Sequence, residues 1–356
     1  MKERLQHKTD ENQLSPRILV TGATGMIGSH LIIKLIEDGF RVNALYREPN
    51  ARRKVRLLMQ LYGKEALMER IRWVHGSLED PDEWEHVLPE TDAVIHAAAK
   101  VSFLSRDRHE MLETNFRGTA RLVNTLLSYP KIYMLHISSI AALGGTGEHI
   151  TEEAMWVPAA LHSDYAVSKY LAEMEVWRGM QEGLKAGIIN PSVVIGPPAD
   201  ACLWQNGFGS LVRDVARGKM RRIFPGVTGY VDVNDVTEIA LRMLREQVSG
   251  ERFIVSAENL SFEEIVRMIA RELQVRPPAK TMSKKWLLAA ARAARAWYRL
   301  TRKGPDYDLA AVNALYDRDL YDNSKVRSRF DYTFLPISRS IARTVDLYRK
   351  KDALIR

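Results

Sequence analysis

One cysteine, Cys202, occurs in 356 residues, so no disulfide can form within the chain. That usage leads us to expect a reducing compartment, the cytoplasm. No run of about 18 uncharged apolar residues is present, so no transmembrane helix is expected. Residues 1–12 are polar and charged and lack the apolar stretch of a secretory signal. The nine histidines are scattered, with no H-x-x-x-H pair and no cysteine cluster beside them, so no metal site is expected. A G-x-x-x-x-G-K-[ST] loop is missing too, which argues against P-loop nucleotide chemistry. Neither an internal repeat nor a low-complexity tract interrupts the chain.

What remains is ordinary globular composition, 46% hydrophobic and 27% charged. The length suffices for one large core or two moderate ones. The net charge is +8, with basic clusters at 52–56, 217–222 and 284–303. No nucleic-acid partner is expected, because no aromatic platform or recognition motif accompanies them. The stretch 284–303 sets Trp286, Trp297 and Tyr298 among Arg292, Arg295, Arg299 and Arg302. As a helix it has two readings. It lies on an anionic membrane surface, or it packs over a substrate pocket, which is the preferred reading.

Short β-rich runs alternate with helical ones through the first half. Strands are expected at Arg17–Thr21, Arg41–Tyr46, Ile71–His75, Ala93–Ala97, Ile132–Ser138 and Ala186–Val194, with Arg252–Ser256 returning later. Helices are expected at Ser29–Asp38, Arg52–Glu69, Glu83–Val87, Arg108–Ser128 and Tyr165–Gln181. This pattern predicts an α/β fold, a doubly wound parallel sheet covered on both faces. After Pro191 the chain turns loop-rich, and beyond about Leu260 it reads as helical and basic. The expected organisation is a tail over 1–15, a dinucleotide-binding unit over 16–190 plus about 228–257, and a smaller, mostly helical substrate unit from 191–227 and 258–356.

The densest signal is Thr21-Gly22-Ala23-Thr24-Gly25-Met26-Ile27-Gly28. It joins an apolar strand to an amphipathic helix, the context in which spaced glycines bind a dinucleotide. Gly22 permits the tight turn, Gly25 lets backbone approach a pyrophosphate, and Gly28 allows close packing of helix and strand. The helix N-terminus adds free N–H groups and a positive dipole end.

Tyr165-Ala166-Val167-Ser168-Lys169 is Y-x-x-x-K on an expected helix. Residues four apart share a face, so the lysine charge should lower the phenol pKa. A tuned phenol exchanges protons with a carbonyl or alcohol oxygen. Ser139, 26 residues upstream at a strand end, is suited to hold that oxygen. A second Y-x-x-x-K at Tyr321–Lys325 is read as chance.

Together these motifs resemble the extended short-chain dehydrogenase/reductases, the NAD-dependent epimerase/dehydratase group. The resemblance rests on T-G-A-T-G-M-I-G at 21–28, H-A-A-A at 96–99, T-N-F-R-G-T at 114–119, I-S-S at 137–139, Y-A-V-S-K at 165–169, N-P-S-V-V-I-G-P at 190–197 and Y-V-D-V-N-D-V at 230–236, in family order. It implies a Rossmann-type sheet and a catalytic set of Ser139, Tyr165, Lys169 and Asn115, with Asn115 relaying protons through water to Lys169. It implies further that Ala97, Ala98 and Ala99 line the cofactor, that Ser77 and Leu78 lie at its adenine end, and that Pro191 and Val193 lie at its nicotinamide end. Asp235 resembles a structural aspartate, and a homodimer through the helices at 108–128 and 165–181 is implied by analogy.

The acid that grips a ribose 2′-hydroxyl is expected about 20 residues past the glycines. Leu45 stands near that spot, and Arg47, with Arg52 and Arg53 close by, suits a 2′-phosphate. NADP(H) is therefore favoured, with NAD(H) open through Glu48. The segments 42–49 and 190–197 resemble dihydroflavonol reductases, cinnamoyl reductases and 3β-hydroxysteroid dehydrogenases. The expected reaction is hydride transfer between nicotinamide and the carbonyl or secondary alcohol of a largely apolar small molecule. Lys100, Phe103, Ala141, Leu143 and Trp204 are candidate substrate contacts, with Trp156 beside them. The alternatives are a nucleotide-sugar epimerase or dehydratase with tightly held NAD, and a protein that binds NADP(H) without turnover.

Overall fold

The computed structural model describes residues 15–351, apart from 145, 146, 148, 159, 160, 201–203, 206, 221 and 279. Nearly all of the expected tail, and Cys202, fall outside the described residues.

Strands β1 (Arg17–Thr21), β2 (Arg41–Tyr46), β3 (Ile71–His75), β4 (Ala93–His96), β5 (Tyr133–Ile137), β6 (Ala186–Pro191) and β10 (Arg252–Val255) form one sheet in the order β10-β6-β5-β4-β1-β2-β3. All its pairings are parallel. A parallel sheet is covered on both faces, which is why Ile18, Leu19 and Val20 are consecutive and all fully buried. Helices Met26–Glu37 and Val233–Glu246 pack one face through Leu31, Leu35, Ile239 and Leu244. Helices Gly118–Leu127 and Asp164–Gln181 cover the other through Leu122, Leu126 and Val176. The strand order reverses between β1 and β4, and the crevice beyond their carboxyl ends is where ligands bind in such sheets.

A second apolar cluster joins Trp204, Phe208, Val212, Ile265, Ile269, Ile341 and Val345. It lies beside a three-stranded sheet of β7 (Val193–Ile195), β9 (Val227–Asp232) and β11 (Glu258–Ser261). The strand expected over Ala186–Val194 is thus two strands in two sheets, β6 paired to β10 and β7 to β9, with Ser192 between them. The helix expected over Arg52–Glu69 is also divided. Ala51–Leu61 is α-helical, Gly63 turns with φ +67°, and Glu65–Arg70 is a 3₁₀ segment. The helix expected over Arg108–Ser128 carries a π-turn at Leu112–Arg117.

The second Y-x-x-x-K does not form a pair. Tyr321 precedes the helix Ser324–Phe330 and bridges to Ile150, while Lys325 faces Glu251. Helix Lys284–Thr301 buries only Ala291. Among the described residues no helix is long and apolar enough to cross a membrane.

Candidate active site

The site is built where β1, β4 and β5 end. After β1 the chain turns at Gly22, whose φ of +64° L side chains rarely adopt. A Cβ there would also stand 2.5 Å from the Ala98 nitrogen, so glycine is what lets this loop lie against residues 97–98. At Gly28 a Cβ would sit 2.1 Å from the Gly22 carbonyl oxygen. At Gly25 it would meet only that carbonyl, at 3.2 Å, and otherwise enter open space. Helix Met26–Glu37 begins there with no side-chain cap and no acid in its first turn. Its leading N–H groups therefore remain free for anionic oxygens. This cradle fits the diphosphate of a dinucleotide.

After β4, Ala97 and Ala98 lie against the Gly22 turn and pack on the cores of the two faces, and Ala99 is exposed. Asn115, 1% exposed on the π-turn, locks the loop in place. Its Oδ1 accepts from the Lys100 N–H at 2.7 Å, and its Nδ2 donates to the Lys100 carbonyl and to Ser168 Oγ, both at 2.9 Å. Asn115 is thus a clamp between the loop and the Tyr165 helix. His96 bridges Thr21 Oγ1 at 2.6 Å and Thr119 Oγ1 at 2.9 Å, tying β1, β4 and the next helix together. Burial lowers its pKa to about 3, so the ring is neutral.

Tyr165 and Lys169 stand one turn apart near the start of helix Asp164–Gln181, whose N-cap Ser163 accepts from the Ala166 N–H. Ser139 lies two residues beyond β5, where its Oγ caps a 3₁₀ turn by accepting from the Ala141 N–H at 3.2 Å. The Ser139 hydroxyl is close enough to the Tyr165 phenol to lower its pKa. The expected depression of the phenol pKa is not what the chain shows. Burial raises it, and the Ser139 hydroxyl offsets this only in part. Lys169, 1% exposed, donates instead to the Ile137 carbonyl at 3.0 Å. Burial lowers its pKa from 10.5 to about 8, against the pull of the Glu173 charge.

Glu173, fully buried one further turn along, escaped the sequence reading. Its oxygens accept from Ser138 Oγ at 2.6 Å, Asn190 Nδ2 at 2.8 Å and Arg252 Nη1 at 2.8 Å. Asn190 also donates to the Ser139 carbonyl at 3.0 Å. One carboxylate thus joins the Tyr165 helix to β5, β6 and β10 beneath the site. The available signal was spacing, since Lys169 and Glu173 are four apart on one helix face.

The candidate substrate contacts divide. Phe103 is exposed and Ala141 half-buried beside Ser139. Lys100 directs its ammonium to Glu110 at 3.0 Å. Leu143 is packed with Ile140, Ile150 and Ile254, and Trp204 lies in the second core with its ring 5.0 Å from that of Tyr348. Both are buried among apolar neighbours. Trp156 is stacked between His162 and Tyr170, the latter on the Tyr165 helix. A cavity of about 570 Å³ opens beside Asp164, lined among others by Arg108, Leu161, Arg292, Arg295 and Arg299. Helix Lys284–Thr301 therefore covers a cavity, but with its arginine edge.

Of the two residues expected near an adenine, Ser77 Oγ accepts from the Glu79 N–H at 3.2 Å, and Leu78 packs in the core under Gly118. Pro191 is buried at the end of β6, and Val193 is 40% exposed on β7. At the end of β2, Leu45 is interior while Arg47 is exposed, and the Arg52 guanidinium lies 4.4 Å over the Tyr46 ring. No cluster of three or more metal-ligating side chains occurs among the described residues.

The profile of the NAD dependent epimerase/dehydratase family matches residues 18–256. Sterol demethylase protein B of Methylococcus capsulatus is 29% identical over 255 residues, covering 70% of this chain and 73% of its own. Tetraketide alpha-pyrone reductase 1 of Arabidopsis thaliana is 25% identical, covering 77% and 86%. The crystal structure of gox2253 superimposes with a TM-score of 0.77 at 26% identity, over 94% of this chain and 98% of that one.

Proposed function

The chain belongs to the NAD dependent epimerase/dehydratase family and is an oxidoreductase using a nicotinamide cofactor; from that premise we propose an NADP(H)-dependent reductase of a carbonyl group on a largely apolar small molecule, working in reverse on the secondary alcohol. The observation that carries this reading is the approach of the Ser139 hydroxyl to the Tyr165 phenol, one helical turn from the buried Lys169.

The nicotinamide, when bound, supplies or takes up the hydride. Tyr165 gives its phenolic proton to the carbonyl oxygen, and Ser139 donates a hydrogen bond to that oxygen as charge develops. A phenol whose pKa burial has raised holds its proton at neutral pH, which is the form reduction needs. Alcohol oxidation needs the phenolate and gains from higher pH. Lys169 supplies positive charge behind the pair, and Asn115 and Glu173 keep loop, strands and helix in register.

Support for NADP(H) over NAD(H) comes from the end of β2. An apolar, interior Leu45 stands where a ribose-binding acid is expected, and Arg47 and Arg52 offer guanidinium groups to a phosphate. Support for an apolar substrate comes from Val193, a side chain without a hydrogen-bonding group on the open strand. The names of the relatives, a tetraketide pyrone reductase and a sterol demethylase protein, point the same way.

The test is oxidation of NADPH and NADH against apolar ketones, aldehydes and nucleotide sugars, with Tyr165→Phe as control. NADPH consumption by a carbonyl compound, abolished in the variant, is expected. Conversion of a sugar nucleotide without net NADPH consumption would refute the reading.

A further inference from the structure

Helix Lys284–Thr301 turns its aromatic side away from the protein. Trp286, Trp297 and Leu300 are 75%, 59% and 83% exposed, and spacings of eleven and three residues set them on one face with Ala293. Between 284 and 303 there are seven Lys and Arg and no Asp or Glu, close to the chain's whole net charge of +8. All four arginines of the stretch, Arg292, Arg295, Arg299 and Arg302, line the cavity. A core helix would bury its tryptophans, and this one exposes both of them while burying only Ala291.

Residues 303–308, just after the helix, fasten this surface to the site. Ser105 N–H donates to the Asp306 carbonyl at 2.7 Å, and Asp308 N–H to the Phe103 carbonyl at 2.9 Å. Asp308 Oδ2 accepts from the Asp164 N–H at 2.7 Å, one residue before Tyr165. Phe103, Leu161 and Tyr307 are exposed as well.

We propose that helix Lys284–Thr301 docks the enzyme on a bilayer surface containing anionic lipid. Trp286, Trp297 and Leu300 enter the boundary between headgroups and acyl chains, and the flanking Lys and Arg meet lipid phosphates. Charge decides between occupants. A second copy would set two helices of the same strong positive charge against each other, whereas an anionic membrane supplies the opposite sign.

The experiment is flotation of the full chain with vesicles of phosphatidylcholine alone, or with roughly one third phosphatidylglycerol, with tryptophan fluorescence read in parallel. Binding to the anionic vesicles, a blue shift of the emission, and weakening with added salt are expected. The variant W286S/W297S/L300S should lose about tenfold or more in partitioning while its melting temperature and NADPH binding stay unchanged. Failure of the parent chain to float with anionic vesicles at low salt would overturn the proposal, as would equal flotation of the variant. A parent dimer that the variant converts to monomer would overturn it too, assigning the stripe to a second copy. Because NADPH turnover of a water-soluble carbonyl is read separately, failure here is distinct from failure of the proposed reaction.

Discussion

Glu173→Gln changes one oxygen to an amide deep under the site, and the hydrogen bonds around that oxygen set the cost. Glu173 accepts four of them, from Ser138 and Asn190 on one oxygen and from Arg252 and Trp177 on the other. A glutamine must turn its NH₂ toward one of these pairs, placing donor against donor. Rotating the Asn190 amide to offer its unpartnered Oδ1 would break its bond to the Ser139 carbonyl. Arg252, mostly buried, also loses its counter-charge and keeps only the carbonyls of Glu152 and Ala154. Breaking a buried ion pair from one side costs about 3–5 kcal/mol. If the chain melts as a unit, that corresponds to a fall in Tm of roughly 4–7 °C. A second readout separates positioning from mere stability. The Glu173 charge holds the Lys169 pKa up against burial, so its removal should move the lysine's titration below about 8 and pull in the alkaline limb of the pH–rate profile. Differential scanning calorimetry and kcat/KM against pH check both. A variant that melts within about 1 °C of the parent would refute the reasoning, because a buried carboxylate in this network cannot be that cheap to neutralise.

The same geometry supports other expectations. Arg47→Ala combined with Arg52→Ala should raise KM for NADPH by about 10–100-fold and leave NADH nearly unchanged, as befits one or two charge-assisted bonds to a phosphate; steady-state kinetics with both cofactors checks it. Gly28→Ala puts a Cβ 2.1 Å from the Gly22 oxygen, so the turn must open and NADPH binding, read by fluorescence titration, should be lost. Lys169→Met should abolish turnover yet stabilise the fold at pH 7 by about 1–3 kcal/mol. Folding lowers the ammonium's pKa from 10.5 to about 8, so the unfolded chain binds the extra proton between those values. The lysine's penalty is therefore full below pH 8 and fades toward 10.5, and urea titrations of both proteins at pH 7 and pH 10 should show the gain shrinking with it.

What was legible in the sequence was whatever a local rule dictates. Strand, glycine turn and helix at 17–37 announce themselves because Gly22 needs a positive φ and Gly28 a close approach, and both demands leave glycine in the chain. Tyr165 and Lys169 were legible because helical spacing puts them on one face. The break at Ser192 was not, since 186–194 is an unbroken β-favouring run and its division depends on which strands, β10 or β9, arrive from later in the chain. The pKa of Tyr165 was misjudged for a related reason. Spacing tells that the lysine is near, but burial and the pull of the Ile137 carbonyl and Glu173 come from the folded surroundings. Glu173 itself looks like a solvated partner for Lys169, and only Arg252, 79 residues away, makes it a buried hub.

Residues 284–301 carry this furthest. Periodicity divides that helix into an aromatic and a basic face, but it does not say which of them meets the protein. The usual inference, apolar side inward, rests on the assumption that the helix's only apolar neighbour is its own core. Here the facing wall mixes Leu161, Leu309 and Ala310 with Arg108, Asp164, Asp306 and Asp308, and Asp306 pairs with Arg295 across the cavity that Arg292 and Arg299 border. Arg295 is thus held half-buried at the cavity, Arg292 and Arg299 border it while staying exposed, and the tryptophans face outward. An outward row of tryptophans flanked by cations then describes the surroundings for which the helix was shaped better than it describes the core it lacks.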